Sequence, residues 1–326
     1  MTKNHLSLSH KHVFQFKISY SSRVNKKHHK VKHFILASQS NDRVINGESA
    51  LKVAFQGELG AYSEMAVYSF FGQDVEVKPC KSFYDVFESV KTGDVDYGVV
   101  PVENSIEGSV NRTYDLFLEY DLKVCGEIII RVSHCLIAHE GTRLDQIKTV
   151  YSHPQALAQC RKFLEQHKLK AISTFDTAGS VKMIKEEQWK DAAAIASERA
   201  AQIYDMTILE REIEDTKNNS TRFFVIDKQD SPYSGEDKTS IIFAAKSIPG
   251  ALHKVLKEFA DRNINLTKIE SRPTKQTPWE YHFYLDFEGH RTEKKCQQAL
   301  ESIKDKTVFV KILGSYKAAE KTNFKL

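Results

Sequence analysis

Three observations on the sequence predict an α/β domain that is followed by a smaller C-terminal unit. Short β-branched runs alternate with helical segments between residues 51 and 226, an order typical of α/β domains with largely parallel sheets. A polar stretch at 227–237, with Pro232 and Gly235, interrupts this alternation. Beyond it the elements follow the order βαββαβ, which is that of a ferredoxin-like unit.

Hydrophobic spacing and end signals define the individual elements. For example, Ser82 is a favoured N-cap, Phe83 and Val86 recur at helical spacing, and Gly93 ends the helix. The strands are predicted at 51–56, 75–77, 97–102, 123–138, 149–151, 170–175, 192–196, 207–213 and 222–226, then at 239–245, 264–271, 279–288 and 308–315. The helices are predicted at 61–71, 83–92, 113–120, 154–167, 178–187 and 198–204, then at 249–262, with Pro249 in its first turn, and 292–303.

Composition and charge are those of a globular chain. The 326 residues, 41% of them hydrophobic and 28% charged, suffice for two domain cores, and no run of about 18 apolar residues indicates a transmembrane helix. The net charge of +4 arises in residues 1–40, which hold eight Lys or Arg and no acidic residue, whereas the remainder has 39 basic and 43 acidic residues. We therefore expect neither a nucleic-acid nor a membrane partner.

Residues 1–48 form a basic, Ser- and His-bearing segment without steady periodicity. This composition is typical of an organelle transit peptide. A disordered tail, or sequence read from an upstream start codon, would have the same composition. Its six irregularly spaced His residues predict no metal site.

The five cysteines are an odd number and include no Cys-x-x-Cys pair. Neither a disulfide framework nor a zinc site is expected, and the thiols are predicted to be reduced and buried.

Two turns are candidate ligand-binding segments. Segment 57–64 joins a strand to a helix N-terminus, which attracts anions, although a simple tight turn would have the same residues. It is neither a Walker motif nor a dinucleotide fingerprint. Segment 100–108 carries Asn104 and Ser105 to the end of a buried strand, where open α/β sheets bind ligands. A turn built from Asn, Ser and Gly would have the same residues.

A third candidate segment, 152–160, opens a helix after a strand. Ser152 or His153 would cap this helix, and Gln155 and Gln159 would share one of its faces. An amide pair can hold a hydroxyl or a carboxylate without adding charge. For His153 a structural role at the helix start is favoured, and no Ser/His/Asp triad is indicated.

The fourth candidate segment is 218–223, which places a hydroxyl beside a permanent cation. Arg222 can bind a carboxylate through two parallel hydrogen bonds. Alternatively, Arg222 forms a surface ion pair with Glu214 or Asp215, and Thr221 is only a β-favouring residue.

Together and in this order, these segments resemble the prephenate and arogenate dehydratases with a C-terminal ACT domain, especially the plant-type arogenate dehydratases and their bacterial relatives. The resemblance covers about residues 53–316 and is carried by segments 57–64, 100–105, 111–116, 152–160, 177–179, 218–223 and 266–273. In one departure, Glu58-Leu59 stands where many members have Pro, which affects the expected loop shape.

The resemblance implies a catalytic domain that resembles a type 2 periplasmic binding protein. It would occupy 49–228, with lobe 1 at about 51–130 and 209–228 and lobe 2 at about 131–208. A linker at 229–237, an ACT domain at 238–318 and a tail at 319–326 would complete the chain.

The implied reaction removes CO2 and the ring hydroxyl from a cyclohexadienyl acid, without a metal or redox cofactor. Thr221 would donate a hydrogen bond to the departing oxygen, Arg222 would anchor a substrate carboxylate, Asn104 and Gln159 would orient the ring, and Ser152 would line the same cleft. Substrate contacts are also expected from Gly60, Ala61, Tyr62, Ser105, Gln155 and Thr177.

The resemblance also implies regulation. Two segments resemble the phenylalanine-sensing parts of ACT domains, and their residues are Gly250, Ala251 and Leu252, then Glu270, Ser271 and Arg272. Phenylalanine would bind between ACT domains paired in a homodimer or homotetramer, although a purely structural dimerisation domain would have the same fold. For the whole chain, a non-catalytic amino-acid-binding sensor and an inactive phenylalanine-binding partner are the alternatives. The location would be the plastid stroma if the N-terminus is a transit peptide, and otherwise the cytoplasm.

Overall fold

The structure, a computed structural model, describes residues 50–274 and 280–319. The predictions for residues 1–48 and for most of the tail at 319–326 lie outside these ranges, so the plastid or cytoplasmic location stays a prediction. In the described ranges no helix has the length and apolar character needed to cross a membrane. All five cysteines are free and buried, as the sequence predicted.

The elements alternate through the N-terminal two thirds of the chain. The strands are β1 (Leu51–Gln56), β2 (Val75–Cys80), β3 (Tyr97–Asn104), β4 (Gly108–Ser109), β5 (Lys123–Arg131), β6 (Cys135–Ala138), β7 (Thr149–Ser152), β8 (Lys170–Ser173), β9 (Ala192–Ala196), β10 (Thr207–Glu210), β11 (Ser220–Asp227), β12 (Asp237–Ala245), β13 (Leu266–Pro273), β14 (Tyr281–Glu288) and β15 (Thr307–Lys317). The helices are α1 (Tyr62–Phe71), α2 (Phe83–Thr92), α3 (Asn111–Glu119), α4 (Pro154–Gln159), α5 (Arg161–Gln166), α6 (Thr177–Glu186), α7 (Glu198–Ile203), α8 (Ala251–Ala260) and α9 (Lys294–Lys304), with a short 3₁₀ helix at Leu144–Gln146.

Two separate sheets divide this region into two lobes. The first has the order β2-β1-β3-β11-β5, with β4 beside β3, and the second has the order β10-β6-β9-β7-β8. The chain crosses from the first sheet to the second between β5 and β6, and returns between β10 and β11. Residues near both crossings therefore lie where the lobes meet.

The sheets are mixed, which corrects the prediction that they are largely parallel. Strand β11 runs antiparallel to both β3 and β5, and β6 runs antiparallel to β9 and β10. The reason is the path of the chain, because each of these strands is reached by a crossing between lobes and not by a βαβ connection within one lobe.

The helix predicted at 154–167 is divided into α4 and α5 at Cys160. The carbonyl of Gln159 accepts the backbone amide of Asp215 at 2.7 Å, so it is engaged outside the helix. The Asp215 carboxylate then accepts the first-turn amide of Lys162 at 3.2 Å. The segment that returns from the second lobe thus fixes Gln159 at the end of α4.

The C-terminal unit is an antiparallel sheet in the order β13-β14-β12-β15, with the predicted βαββαβ connection. Helices α8 and α9 pack on one face through a core that includes Ile241, Phe243 and Phe259. The opposite face joins the core of the first lobe, where Tyr284 and Tyr316 pack with first-lobe aromatic residues. The prediction that α8 begins at Pro249 was two residues early, because Gly250 adopts φ 76° as its N-cap and the helix starts at Ala251.

Candidate active site

Asn104 and Thr221 are paired across the neighbouring strands β3 and β11. The Asn104 side chain accepts the backbone amides of Ile106 and Glu107 through Oδ1, both at 3.0 Å. Its Nδ2 donates to Thr221 Oγ1 at 3.0 Å. Because this oxygen accepts from Asn104, the hydroxyl proton of the half-buried Thr221 is left for another acceptor.

Asn219 joins this pair to Gln159 of the second lobe. Its Oδ1 accepts from Asn104 Nδ2 at 2.7 Å, and its Nδ2 donates to Gln159 Oε1 at 2.8 Å. Asn219 is fully buried, directly before β11 on the returning segment. Within the described ranges no acceptor lies against Gln159 Nε2, so that amide group is left to donate to a ligand.

His134 and Tyr62 extend the same network. Nε2 of His134 lies 3.1 Å from Gln159 Oε1, and the Tyr62 hydroxyl lies 3.1 Å from His134 Nδ1 and 2.5 Å from the Ser133 carbonyl. Burial lowers the pKa of His134 and raises the pKa of Tyr62 well above its ordinary value, so both side chains are neutral at pH 7.

These six hydrogen-bonded side chains form what we call the polar chain: Tyr62, His134, Gln159, Asn219, Asn104 and Thr221. It brings four residues of the predicted site together with two that the sequence reasoning missed. Asn219 could have been found, because it lies two positions before Thr221 in a segment already singled out. His134 is a lone histidine beside an apolar strand, and no local pattern indicates its role.

Gly60 and Ala61 lie where the first lobe contacts the second. The Gly60 amide donates to Glu64 at 2.9 Å, and its carbonyl accepts from the Ser197 hydroxyl at 2.6 Å. A Cβ on Gly60 would lie 2.7 Å from the Cα of Ala200. The amide of Ala61 donates to the Glu58 carbonyl at 3.1 Å, so both residues already bond within the protein.

The remaining predicted substrate contacts are held by local bonds. Ser152 is fully buried and donates to the Ile195 carbonyl at 2.6 Å. The Ser105 hydroxyl donates to the Asn218 carbonyl at 3.1 Å, beside the polar chain. Gln155 lies in the first turn of α4, where its backbone amide donates to Nδ1 of the capping His153 at 3.2 Å. Thr177 begins α6. Across the described residues, no hydrogen bond joins Ser152, Gln155 or Thr177 to the polar chain.

Arg222 lies apart from Thr221, among carboxylates. Its guanidinium is 2.7 Å from Asp286, 2.9 Å from Glu103 and 3.4 Å from Glu127, and only 11% of the side chain is exposed. Burial opposes the charge, but Asp286 and its neighbours raise the pKa of Arg222 above its ordinary value, so the guanidinium stays charged. The structure thus brings Arg222 together with the C-terminal unit and not with Asn104 or Gln159.

The predicted effector residues are divided between two faces of the C-terminal unit. Glu270 accepts from the Ser109 hydroxyl, and Arg272 donates to the Asn111 carbonyl and to Asp115, both at 2.7 Å. Ser271 lies on the opposite, exposed face of β13. Gly250 caps α8, and the next two predicted residues, Ala251 and Leu252, begin that helix.

Two α/β lobes share the polar chain, and ion pairs join the first lobe to a ferredoxin-like unit. This arrangement defines a small-molecule enzyme with an attached regulatory domain. Residues 53–231 match the family model of prephenate dehydratase, and residues 239–305 match that of the ACT domain. The chain therefore belongs to the prephenate dehydratase family, a family of lyases, as the sequence motifs indicated.

The similar proteins include two that bear the family's name and one that is described differently. The bifunctional chorismate mutase/prephenate dehydratase of Aquifex aeolicus is 46% identical over 275 residues, which are 83% of this chain and 75% of that protein. A solved prephenate dehydratase from Arthrobacter aurescens in complex with L-Phe is 30% identical, with a TM-score of 0.76 over 82% of this chain and 90% of that chain. A solved protein described as a novel type of quorum quenching acylase, GqqA, is 32% identical, with a TM-score of 0.75 over 82% of this chain and 98% of that chain.

Proposed function

We propose that this protein is a decarboxylating dehydratase that converts prephenate to phenylpyruvate, arogenate to phenylalanine, or both. The bond between the ring and its carboxylate breaks to release CO2, and its electron pair moves into the ring. The ring hydroxyl leaves with its own bonding pair as hydroxide, which solvent protonates to water. Aromatisation supplies the driving force. The protein has to hold the substrate anion and to donate a hydrogen bond to the departing oxygen.

The observation that carries the proposal is the hydrogen bond from Asn104 to Thr221. Since Thr221 Oγ1 accepts from Asn104, its proton points away from the polar chain and is available to the leaving hydroxyl. Gln159 Nε2 is a second donor on the other lobe. A threonine hydroxyl is too weak an acid to transfer a proton readily, so Thr221 acts as a preorganised dipole, whose loss typically slows turnover by about 10²–10³-fold.

For the substrate carboxylates we favour the start of α1 over Arg222. Helix α1 begins at Tyr62 without a side-chain cap, so its first-turn amides are available to an anion. Tyr62 also belongs to the polar chain, which links this helix start to Thr221. Arg222, by contrast, is already compensated by three carboxylates, and we assign it to the contact between the catalytic and ACT domains.

An acylase activity, as named for GqqA, has less support from the site. Acyl transfer to a protein hydroxyl needs a nucleophile activated by an adjacent base. Thr221 Oγ1 accepts from an amide nitrogen, and His134 is separated from it by Gln159, Asn219 and Asn104. Among the described residues, no basic side chain lies within hydrogen-bond reach of the Thr221 hydroxyl.

We infer that phenylalanine binds the ACT domain and regulates the enzyme. Support comes from the solved relative in complex with L-Phe, and from the predicted effector segment itself, because Glu270 and Arg272 contact the first lobe while Ser271 faces outward. A ligand at this strand would alter a strand that touches the catalytic domain. Pairing of ACT domains in a homodimer or homotetramer is part of the same proposal.

Spectrophotometric assays of phenylpyruvate formed from prephenate, run beside assays of phenylalanine formed from arogenate, test the function. We expect turnover of at least one substrate. Absence of both products with intact phenylalanine binding would instead support the non-catalytic sensor. An acylated amine included as a third substrate tests for acylase activity. Its hydrolysis without turnover of prephenate or arogenate would overturn the proposal.

A further inference from the structure

The direction of the hydrogen bonds from Asn104 to His134 is set at one end of the polar chain by backbone groups. Oδ1 of Asn104 faces the backbone amides of Ile106 and Glu107. Backbone amides only donate, so the atom of Asn104 that faces them has to be its oxygen. Its Nδ2 consequently faces Asn219 and Thr221.

The same order of donors and acceptors follows for the next members of the polar chain, as far as His134. Asn219 has to present its oxygen to Asn104 and therefore its nitrogen to Gln159. Gln159 in turn presents Oε1 to both Asn219 and His134. The facing atom of His134, Nε2, must then carry a proton. Because burial lowers the pKa of His134, the ring is the neutral Nε2–H tautomer. The Tyr62 hydroxyl lies 3.1 Å from Nδ1 but gives its single proton to the Ser133 carbonyl.

The imidazole is also fixed to both crossings between the lobes. His134 lies on the outward crossing, between β5 and β6. Its backbone amide donates at 2.9 Å to the buried carboxylate of Glu214, which lies on the returning crossing. The ring therefore has a defined position relative to both lobes, and its single proton points at Gln159.

The geometry points to His134 as a positioning residue for the proposed dehydration, a role that rests on the proposed function. By donating from Nε2 to Gln159 Oε1, it holds this carbonyl toward the protein and leaves Gln159 Nε2 for the substrate. Through Asn219 and Asn104 the same direction leaves the Thr221 proton for the departing oxygen. His134 thus aligns two donors that belong to different lobes, without touching the substrate.

Substitutions at His134 test this role. In His134→Gln an amide nitrogen can replace the Nε2–H donor, whereas His134→Leu removes it. We expect kcat to fall about 10²-fold in His134→Leu with a smaller change in KM, since misplacement of a donor slows the chemical step, and to recover substantially in His134→Gln. The matched control is His139→Leu, because His139 is a partly buried histidine of the second lobe whose Nε2 lies 2.9 Å from the Ile184 carbonyl, and within the described ranges it bonds no member of the polar chain.

A double-variant cycle with Gln159→Leu separates positioning from a general structural effect. If His134 acts through Gln159, the double variant is no slower than Gln159→Leu alone. Losses that multiply, or a His134→Leu variant as active as His139→Leu, would overturn the proposal. Thermal unfolding of each variant identifies any that fails to fold.

Nitrogen-15 NMR of the wild-type protein provides a readout that does not depend on turnover. We expect His134 in the Nε2–H form at neutral pH, and an Nδ1–H tautomer would overturn the proposal even in an active enzyme. An inactive wild-type protein with the Nε2–H form would refute the proposed function while leaving the described hydrogen-bond direction intact.

Discussion

Thr221 and Arg222, consecutive residues of β11, direct their side chains to opposite faces of the first sheet. Thr221 Oγ1 lies 3.0 Å from Asn104 in the polar chain, whereas Arg222 Nη1 lies 2.7 Å from Asp286 of the ACT domain. Side chains alternate along a strand, so one peptide unit separates the proposed catalytic hydroxyl from a buried interdomain ion pair. A displacement of Asp286 therefore acts directly on the strand that positions Thr221.

The interdomain cluster predicts a large loss of stability in Arg222→Met. This change leaves the buried Asp286 without its cation, while Glu103 keeps Lys268 and Glu127 keeps Lys238. Breaking a buried ion pair by removing one partner costs about 3–5 kcal/mol. Urea unfolding measures the effect. Arg143→Met is the control, because the exposed Arg143–Asp145 pair should contribute at most about 1 kcal/mol. Equal free energies of unfolding for the two variants would contradict the assigned role of Arg222.

Gly60→Ala is predicted to destabilise the contact between the lobes. At φ 91° an added Cβ would be strained and would lie 2.7 Å from the backbone of Ala200. Gly250→Ala is the matched control, since Gly250 has φ 76° and ψ 7° and open space around it. Both variants should lose about 1–2 kcal/mol from the left-handed backbone, and Gly60→Ala about 1–3 kcal/mol more from the clash. Thermal unfolding distinguishes the two variants. Equal losses of stability would show that the contact between the lobes adjusts to the added methyl group without a free-energy cost.

Burial of neutral His134 predicts a pH-dependent free energy of unfolding. The folded pKa is lowered, while the unfolded chain has the ordinary value of about 6.5. Below pH of about 6.5 the unfolded chain therefore binds more protons, and stability falls as the pH drops toward the lowered pKa. Tyr62 and Glu214 also face this residue. Tyr62 stays neutral, and Glu214 raises the pKa of His134 by less than burial lowers it, so the sign is unchanged.

The measurement compares wild type with His134→Gln, which cannot titrate, by urea unfolding between pH 7 and pH 5. The wild-type protein should lose more stability on acidification than the variant. Parallel curves would show that His134 is not buried in its neutral form.

The sequence predicted the two-part fold because strand and helix periodicities are local and survive in each segment. Strand direction is not local, and the antiparallel placement of β11 depends on the chain returning from the second lobe. Residues 227–237 were predicted as a boundary for the opposite reason, since a polar, Pro- and Gly-bearing stretch cannot continue either periodicity.

The candidate site was predictable where a motif carried it. Asn104, Gln159 and Thr221 were named from their segments, and the structure joins them through Asn219. The expectation for Arg222 overlooked strand alternation, which places it on the face opposite Thr221. His134 could not be named, because only the crossing of the chain between lobes brings it to Gln159.

Substitutions at neighbouring residues of β13, in the ACT domain, are expected to have different effects on phenylalanine binding and on stability. Ser271→Ala should weaken phenylalanine binding by about 0.5–1.5 kcal/mol if the hydroxyl bonds the effector, with no change in the free energy of unfolding, since Ser271 is exposed. Arg272→Ala should lower the free energy of unfolding, because Arg272 bonds Asn111 and Asp115. Calorimetric titration and urea unfolding check both. Unchanged phenylalanine affinity in Ser271→Ala would remove Ser271 from the site.

Turnover of prephenate and arogenate by wild type, Thr221→Ser and Thr221→Val tests the central claim most directly. Serine keeps the hydroxyl that accepts from Asn104, whereas valine keeps the shape of threonine without a donor. We expect kcat to fall about 10²–10³-fold in Thr221→Val and to stay near the wild-type value in Thr221→Ser, with both variants folded. A folded Thr221→Val enzyme that turns over at the wild-type rate would contradict the assignment of Thr221 as the donor to the leaving oxygen.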